Sequence, residues 1–116
     1  MGVVTGRIFL EGWQGEPGPA TVYVRVLDTS RADASAVTVS TLAIRDVTLD
    51  LMDKDGIDFS LDIPAVDPRT RYTVSVLVDL DGDGQSSPGD YRNMQSYPVL
   101  THGHGNRVEI HARRIP

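Results

Sequence analysis

The feature of this sequence that most constrains its fold is a two-residue alternation of apolar and polar side chains, repeated in short runs. In the clearest run, Ile57–Ile63, apolar residues alternate with Asp58, Ser60 and Asp62. Successive side chains of a β-strand point to opposite faces, so this run is typical of a strand buried on one face. No stretch of 11 or more residues shows the helical period of about 3.6 residues. The sequence therefore predicts an all-β protein.

Seven such runs are separated by segments rich in Gly, Pro, Asp and Ser. They are Val4–Leu10, Val22–Val26, Val37–Arg45, Ile57–Ile63, Tyr72–Val78, Tyr97–Val99 and Val108–Ala112. Short strands at this spacing are typical of a single antiparallel β-sandwich, either immunoglobulin-like or prealbumin-like. The chain has 116 residues, near the common size of one domain, and no linker or repeat interrupts it. We therefore expect one β-sandwich domain spanning residues 1–116.

Composition excludes several classes of protein. The net charge is −5, and the basic side chains are scattered, so no nucleic-acid surface is predicted. The chain has no cysteine, which excludes disulfides and thiolate metal sites, and no apolar run approaches 18 residues, the length of a membrane span. No nucleophile elbow, HExxH motif or pair of glutamates is present, so the sequence predicts a protein that is not an enzyme.

One loop carries the spacing of a calcium site. Residues 79–90 place oxygen-bearing side chains at alternate positions of a twelve-residue loop, and Gly84 supplies the sharp bend at its sixth position. The predicted ligands are Asp79, Asp81, Asp83, the backbone carbonyl of Gln85, Ser87 directly or through water, and Asp90. A hard cation needs six to eight oxygens, which this register can bring to one point.

The same loop departs from the usual calcium loop in two ways. Its closing residue is Asp90 rather than a bidentate glutamate, and a strand rather than a helix leads into it. We therefore expect a weak, structural calcium site, with a Kd of about 10⁻⁴–10⁻³ M. The alternative is a polar hairpin turn that holds no ion, because Asp-Gly pairs are ordinary in turns.

Three further features are weaker candidates. The acidic cluster Asp53–Asp58 contains a lysine and is most simply a hairpin turn at Asp55 and Gly56. His102 and His104 offer two imidazoles to a transition metal but lack a third ligand in the sequence. Trp13 stands in a Pro- and Gly-rich loop, where it covers the edge of a core or, as the alternative, stacks on a sugar.

Several segments together resemble one bacterial family. The string ATVYVRVLDTSRAD at Ala20–Asp33 is similar to the second-strand signature of the YbaY/YscW family. The family's first-strand pattern is matched by Val4–Gly6, and a later strand followed by Asp-Pro is matched by Phe59–Pro68. A further strand corresponds to Tyr72–Val78, so the resemblance spans most of the chain.

The resemblance implies a β-sandwich with a non-enzymatic role. Members of the family are small envelope lipoproteins, including chaperones (pilotins) for type III secretion, so a protein partner in the periplasm or at the outer membrane is implied. The lipidated N-terminal cysteine and its signal peptide are not seen here, which indicates either a cytosolic protein or one whose leader was removed. The loop at 79–90 lies outside the family pattern, so the calcium prediction depends on its residues alone.

The predicted function is therefore a non-enzymatic binding or chaperone-like domain of the bacterial envelope, with a weak structural calcium loop at residues 79–90. Two alternatives remain open. One is a structural accessory domain of a larger assembly that has no ion site. The other is a carbohydrate-binding module that uses Trp13.

Overall fold

Strands dominate the structure, a computed structural model that describes residues 2–15, 18–30, 36–82 and 84–116. Within those residues the elements are β1 (Gly2–Glu11), β2 (Ala20–Asp28), β3 (Val37–Val47), α1 (Leu49–Lys54), β4 (Ile57–Ile63), β5 (Tyr72–Asp79), β6 (Tyr91–Asn93), β7 (Pro98–Val99) and β8 (Arg107–Arg114). The predicted all-β character is confirmed, with one short helix added.

The strands form one sheet that curls until its two edges approach each other. Its order is β3-β2-β5-β6-β8-β1-β4, and β7 pairs with β5 beside this path. The hydroxyl of Ser40 on β3 donates to the backbone carbonyl of Asp62 on β4 at 2.8 Å, which links the two edge strands. The sheet is therefore nearly closed, like a barrel, and the predicted division into the two layers of a sandwich stays a prediction.

One pairing corrects the expectation of a purely antiparallel sheet. The first and last strands, β1 and β8, lie side by side and run parallel, from Thr5 opposite Arg107 to Glu11 opposite Arg113. On its other side, β1 pairs antiparallel with β4. Alternation shows which face of a strand is buried but not which strand lies beside it or in which direction. The sequence pattern therefore could not reveal a parallel pair between the two ends of the chain.

The core fills the inside of the curled sheet. Its fully buried residues recur at every second position of the long strands, as the alternation predicts: Val4, Ile8, Val22, Val24, Val26, Ile63, Val74, Val76, Val78 and Ile110. Helix α1 lies between the end of β3 and the start of β4, and adds Leu49 and Met52 to this core. The helix thus packs at the end of the barrel opposite the Ser40–Asp62 link.

A side chain fills a break beside β5. This strand pairs with β6 at Leu77 and Val78 and with β7 at Tyr72 and Thr73. Between these two ladders, Asn93 Oδ1 accepts the backbone N–H of Val76 at 2.8 Å, while Asn93 Nδ2 donates to the carbonyl of Gln95 at 2.9 Å. The side chain of Asn93 therefore supplies the acceptor that a neighbouring strand would otherwise offer to the N–H of Val76.

Replacing Asn93 with alanine is expected to lower the free energy of unfolding by about 1–3 kcal/mol, because the Val76 N–H loses its acceptor in a partly buried place. Asn93→Asp keeps the acceptor oxygen and should lower the free energy of unfolding by less. The measurement is urea denaturation followed by circular dichroism. Asn106→Ala is the matched control, since Asn106 is exposed and the bond it forms with the described residue Thr5 uses its backbone carbonyl, which alanine keeps. Equal stability of Asn93→Ala and the control would contradict the assigned role.

Among the residues that the structure describes, no helix has the length and apolarity needed to span a bilayer.

Candidate functional site

The predicted calcium loop joins β5 to β6 and brings three carboxylates together. One oxygen from each of Asp79, Asp81 and Asp90 lies within 4.8 Å of the others. Asp79 is the last residue of β5 and Asp90 immediately precedes β6, so two strand ends fix their positions. These two side chains are buried, with 2% and 1% of their surface exposed, whereas Asp81 is exposed. The register read from the sequence is thus matched by a compact acidic cluster.

The two buried carboxylates accept hydrogen bonds from the loop's own backbone. Asp79 Oδ1 and Oδ2 accept the N–H groups of Gly82 at 3.0 Å and Gly84 at 2.7 Å. Asp90 Oδ1 accepts the N–H of Leu80 at 2.9 Å. Gly82 and Gly84 have φ angles of 77° and 72°, a region that favours glycine, so these glycines allow the bend that directs the N–H groups inward.

The hydroxyl of Ser87 bridges the carboxylates of Asp81 and Asp90. Its oxygen lies 2.8 Å from Asp81 Oδ2 and 2.9 Å from Asp90 Oδ2. A hydroxyl carries one hydrogen, so it can donate to only one of these oxygens at a time. A proton or a cation between the oxygens would stabilise the second close contact.

The pKa of Asp79 reflects the close approach of the three carboxylates. Burial raises the pKa of the Asp79 carboxyl, and the neighbouring Asp81 and Asp90 raise it further. The backbone N–H groups of Gly84 and Gly82 oppose this change in pKa by stabilising the charged form. The net result is a raised pKa, so the backbone donors only partly compensate the negative charge at Asp79.

The predicted ligands can now be placed one by one. Asp79, Asp81 and Asp90 converge, and Ser87 contacts the last two. Gln85 is exposed in the same loop, and Asp83 lies outside the described residues. Ligation of calcium by this set stays a prediction, because the same side chains also act as caps of the turn.

The acidic cluster at residues 53–58 does not converge on one point. The segment ends helix α1, and the N–H groups of Asp55 and Gly56 both donate to the carbonyl of Leu51. Asp58 lies on β4 and pairs with Arg7, with 2.8 Å between Oδ1 and Nε. The predicted hairpin turn is therefore wrong, because the glycine follows a helix and not a strand.

The remaining sequence candidates take up other positions. His102 and His104 lie exposed in the turn between β7 and β8, where His102 Nε2 is 3.3 Å from the carbonyl oxygen of Arg69. Trp13 is partly buried and packs against the hydrophobic core, as the core-edge interpretation predicted.

A groove of about 450 Å³ beside the acidic loop was not predicted from the sequence. It runs along the outer face of β5 and is bordered by Arg25 on β2 and Arg92 on β6. Gly84 and Ser86 of the acidic loop also line it. No local pattern marks this groove, because its walls come from segments more than 60 residues apart in the chain.

Comparison with known proteins identifies one family and one solved structure. The model of the type III secretion system lipoprotein chaperone family (YscW) matches residues 1–111, which confirms the resemblance seen in the sequence. An alternative pilotin from the type II secretion system of Vibrio cholerae has a similar structure, with a TM-score of 0.76 and 20% identity. The alignment covers 99% of this chain and 97% of that one, and at this identity it bears on the fold alone. No curated protein gives a significant match.

Proposed function

The chain belongs to the YscW family of type III secretion system lipoprotein chaperones, and we propose on that basis that it is a non-enzymatic chaperone for a protein component of a bacterial secretion system. The observation that carries the proposal is the family match over residues 1–111, nearly the whole chain. The type II pilotin shares the fold of this chain and adds nothing about its role. Such a chaperone would meet its partner in the cell envelope.

A genetic experiment tests the chaperone role. Deleting the gene in its own organism should lower the amount of one envelope component of a secretion system, and a plasmid copy should restore it. A tagged copy of the chain should co-purify with that same component. Unchanged amounts and assembly of every secretion-system component in the deletion strain would overturn the proposal.

The carbohydrate-binding alternative is less well supported. It needs an aromatic face that is open to a sugar, and Trp13 instead packs partly buried against the core.

The accessory-domain alternative differs from the chaperone role in one outcome. An accessory domain would co-purify with its assembly without changing the amount of any component in the deletion strain.

We also propose that the loop at residues 79–90 binds calcium weakly and so fixes the connection between β5 and β6. Three observations support this: the carboxylates within 4.8 Å of one another, the burial of Asp79 and Asp90, and the raised pKa of Asp79. A divalent cation would compensate the negative charge that the backbone donors leave. The competing interpretation is that the carboxylates cap the turn and need no ion.

Calcium at ten times its Kd is expected to raise the free energy of unfolding by about 1.4 kcal/mol. Thermal melts with millimolar calcium and with chelator measure this change. Asp81→Asn should abolish the response, because it removes one carboxylate from the cluster but takes no acceptor from the N–H groups of Gly82, Gly84 or Leu80. Asp62→Asn, at an exposed position on β4, is the matched control. Identical melts with calcium and with chelator would leave the loop a simple turn.

The stabilisation by calcium is expected to decrease as the pH falls. The folded-state pKa of Asp79 is raised, so without an ion its contribution to stability is fully present below the unfolded pKa, about 3.9, and is lost as the pH rises through the folded pKa. Calcium binds the charged form and offsets that loss, so its effect should be largest above the folded pKa. Melts at a series of pH values measure the difference, and a calcium effect that is equal at every pH would contradict the role of Asp79.

A further inference from the structure

The groove along β5 is lined by both apolar and polar side chains. Side chains alternate along β5, so Thr73, Ser75 and Leu77 face outward while Val74 and Val76 belong to the core. Leu77 is nevertheless only 6% exposed, because the groove walls cover it. Leu27 on β2 and the exposed Met94 after β6 add apolar surface. Such a surface suits an apolar side chain of a partner.

Two guanidinium groups give the groove its charge. Arg25 and Arg92 line it from two different strands, and neither forms an ion pair with a residue that the structure describes. No carboxylate occurs among the described residues that line the groove, although the whole chain has a net charge of −5. The Arg25 guanidinium carbon lies 5.3 Å from the centre of the Tyr23 ring, a contact that restricts this side chain. Among the described residues, the charged side chains that line the groove are thus both basic, although the net charge of the protein is negative.

The backbone of β5 limits how a partner can bind there. One edge of β5 pairs with β2 along its whole length. At the other edge, the N–H groups of Val74 and Val76 donate to the Tyr97 carbonyl and to Asn93 Oδ1. Addition of a strand to this edge is therefore blocked, and a ligand must bind through side-chain contacts. The floor from Thr73 to Leu77 is about 13 Å long, enough for about four extended residues.

We propose that this groove binds a short extended segment of the partner protein that carries acidic side chains around an apolar one. The apolar side chain would lie over Leu77, and the carboxylates would pair with Arg25 and Arg92. The inference rests on the proposed chaperone role and names the surface and the chemistry of its partner. Gly84 and Ser86 border the groove, so the state of the acidic loop shapes one end of the site.

Amide chemical shifts of the labelled chain test the groove directly. The probe is a short blocked peptide of alternating glutamate and leucine, and a glutamine–leucine peptide is its neutral control. Shifts should be confined to residues 73–77 and to the neighbourhood of Arg25 and Arg92, and the neutral peptide should bind roughly tenfold more weakly. Binding of the acidic peptide should also weaken with added salt.

Charge reversal separates the groove from the general charge of the protein. The double variant Arg25→Glu and Arg92→Glu should bind the acidic peptide roughly tenfold more weakly and should gain binding to a lysine–leucine peptide. Arg45→Glu with Arg107→Glu changes the net charge equally at exposed positions outside the groove and should bind like the wild type. Equal weakening by both double variants, or shifts that avoid the groove, would overturn the inference.

The same variants distinguish this inference from the proposed function. If Arg25→Glu with Arg92→Glu restores the secretion component in the deletion strain as fully as the wild type does, the groove is not the docking surface while the chaperone role stands. Loss of restoration by this variant alone, with the control pair still active and both variants folded, would support the groove. An unchanged deletion strain would refute the chaperone role and, with it, the partner named here.

Discussion

Replacing Gly6 with alanine is expected to lower the free energy of unfolding by about 3 kcal/mol. Gly6 lies in the middle of β1, opposite Phe59 of β4 and Val108 of β8. A Cβ there would stand 2.7 Å from Phe59 Cε1 and would also clash with the backbone carbonyl oxygen of Val108. The ring can rotate, but the carbonyl belongs to the parallel ladder and cannot move alone. The added methyl group therefore separates two paired strands.

Urea denaturation followed by circular dichroism measures the effect of Gly6→Ala. Gly105→Ala is the matched control, because a Cβ at Gly105 meets nothing within 4 Å and its φ lies outside the region that favours glycine. The control should leave the midpoint unchanged. A Gly6→Ala protein as stable as the control would mean that β1 and β8 are not held as close together as the structure has them.

Replacing Met52 with alanine is also expected to lower the free energy of unfolding by about 3 kcal/mol. Met52 is fully buried on the inner face of α1 and belongs to the core cluster. The alanine would leave a cavity where the helix packs against β1, and Leu49 is the one other residue of the helix that is buried. The helix should detach from that end of the barrel before the rest of the sheet unfolds.

The neighbouring Leu51 provides a control within the same helix. Its side chain is 49% exposed, so Leu51→Ala should change the free energy of unfolding by about 0.5 kcal/mol or less. Urea melts and amide hydrogen exchange of residues 47–57 measure both variants. Similar losses for the two variants would show that the buried face of α1 does not hold the helix in place.

The sequence predicted the fold where the evidence is local. Alternation located β4 at its observed bounds, Ile57–Ile63, and β5 to within one residue of Tyr72–Asp79. Strand β6 was missed because three residues are too few to alternate, and α1 because six residues do not complete two helical turns. The pairing of β1 with β8 depends on contacts about 100 residues apart, and no local pattern carries that information.

The candidate site, too, could be predicted from the sequence only where the evidence is local. The convergence of Asp79, Asp81 and Asp90 could be predicted, because the spacing within one loop fixes which side chains point inward. The burial of Asp79 and Asp90 could not be predicted, because it depends on the surrounding strands. Nothing in the sequence distinguishes Arg25 and Arg92 from the other arginines, and only the sheet order brings them to one groove.

The parallel pair of β1 and β8 has a consequence for the order in which the sheet forms. Strand β8 carries the ladder that connects the half-sheet β3-β2-β5-β6 to the pair β1-β4, whereas the edge strands β3 and β4 meet through the Ser40–Asp62 bond. Contacts of such high contact order form late and slowly. The ladder around the barrel is complete only when β8 has paired on both sides, with β1 and with β6. Until then the edge of β1 that β8 covers has unpaired backbone groups, and such an edge is open to pairing with another strand.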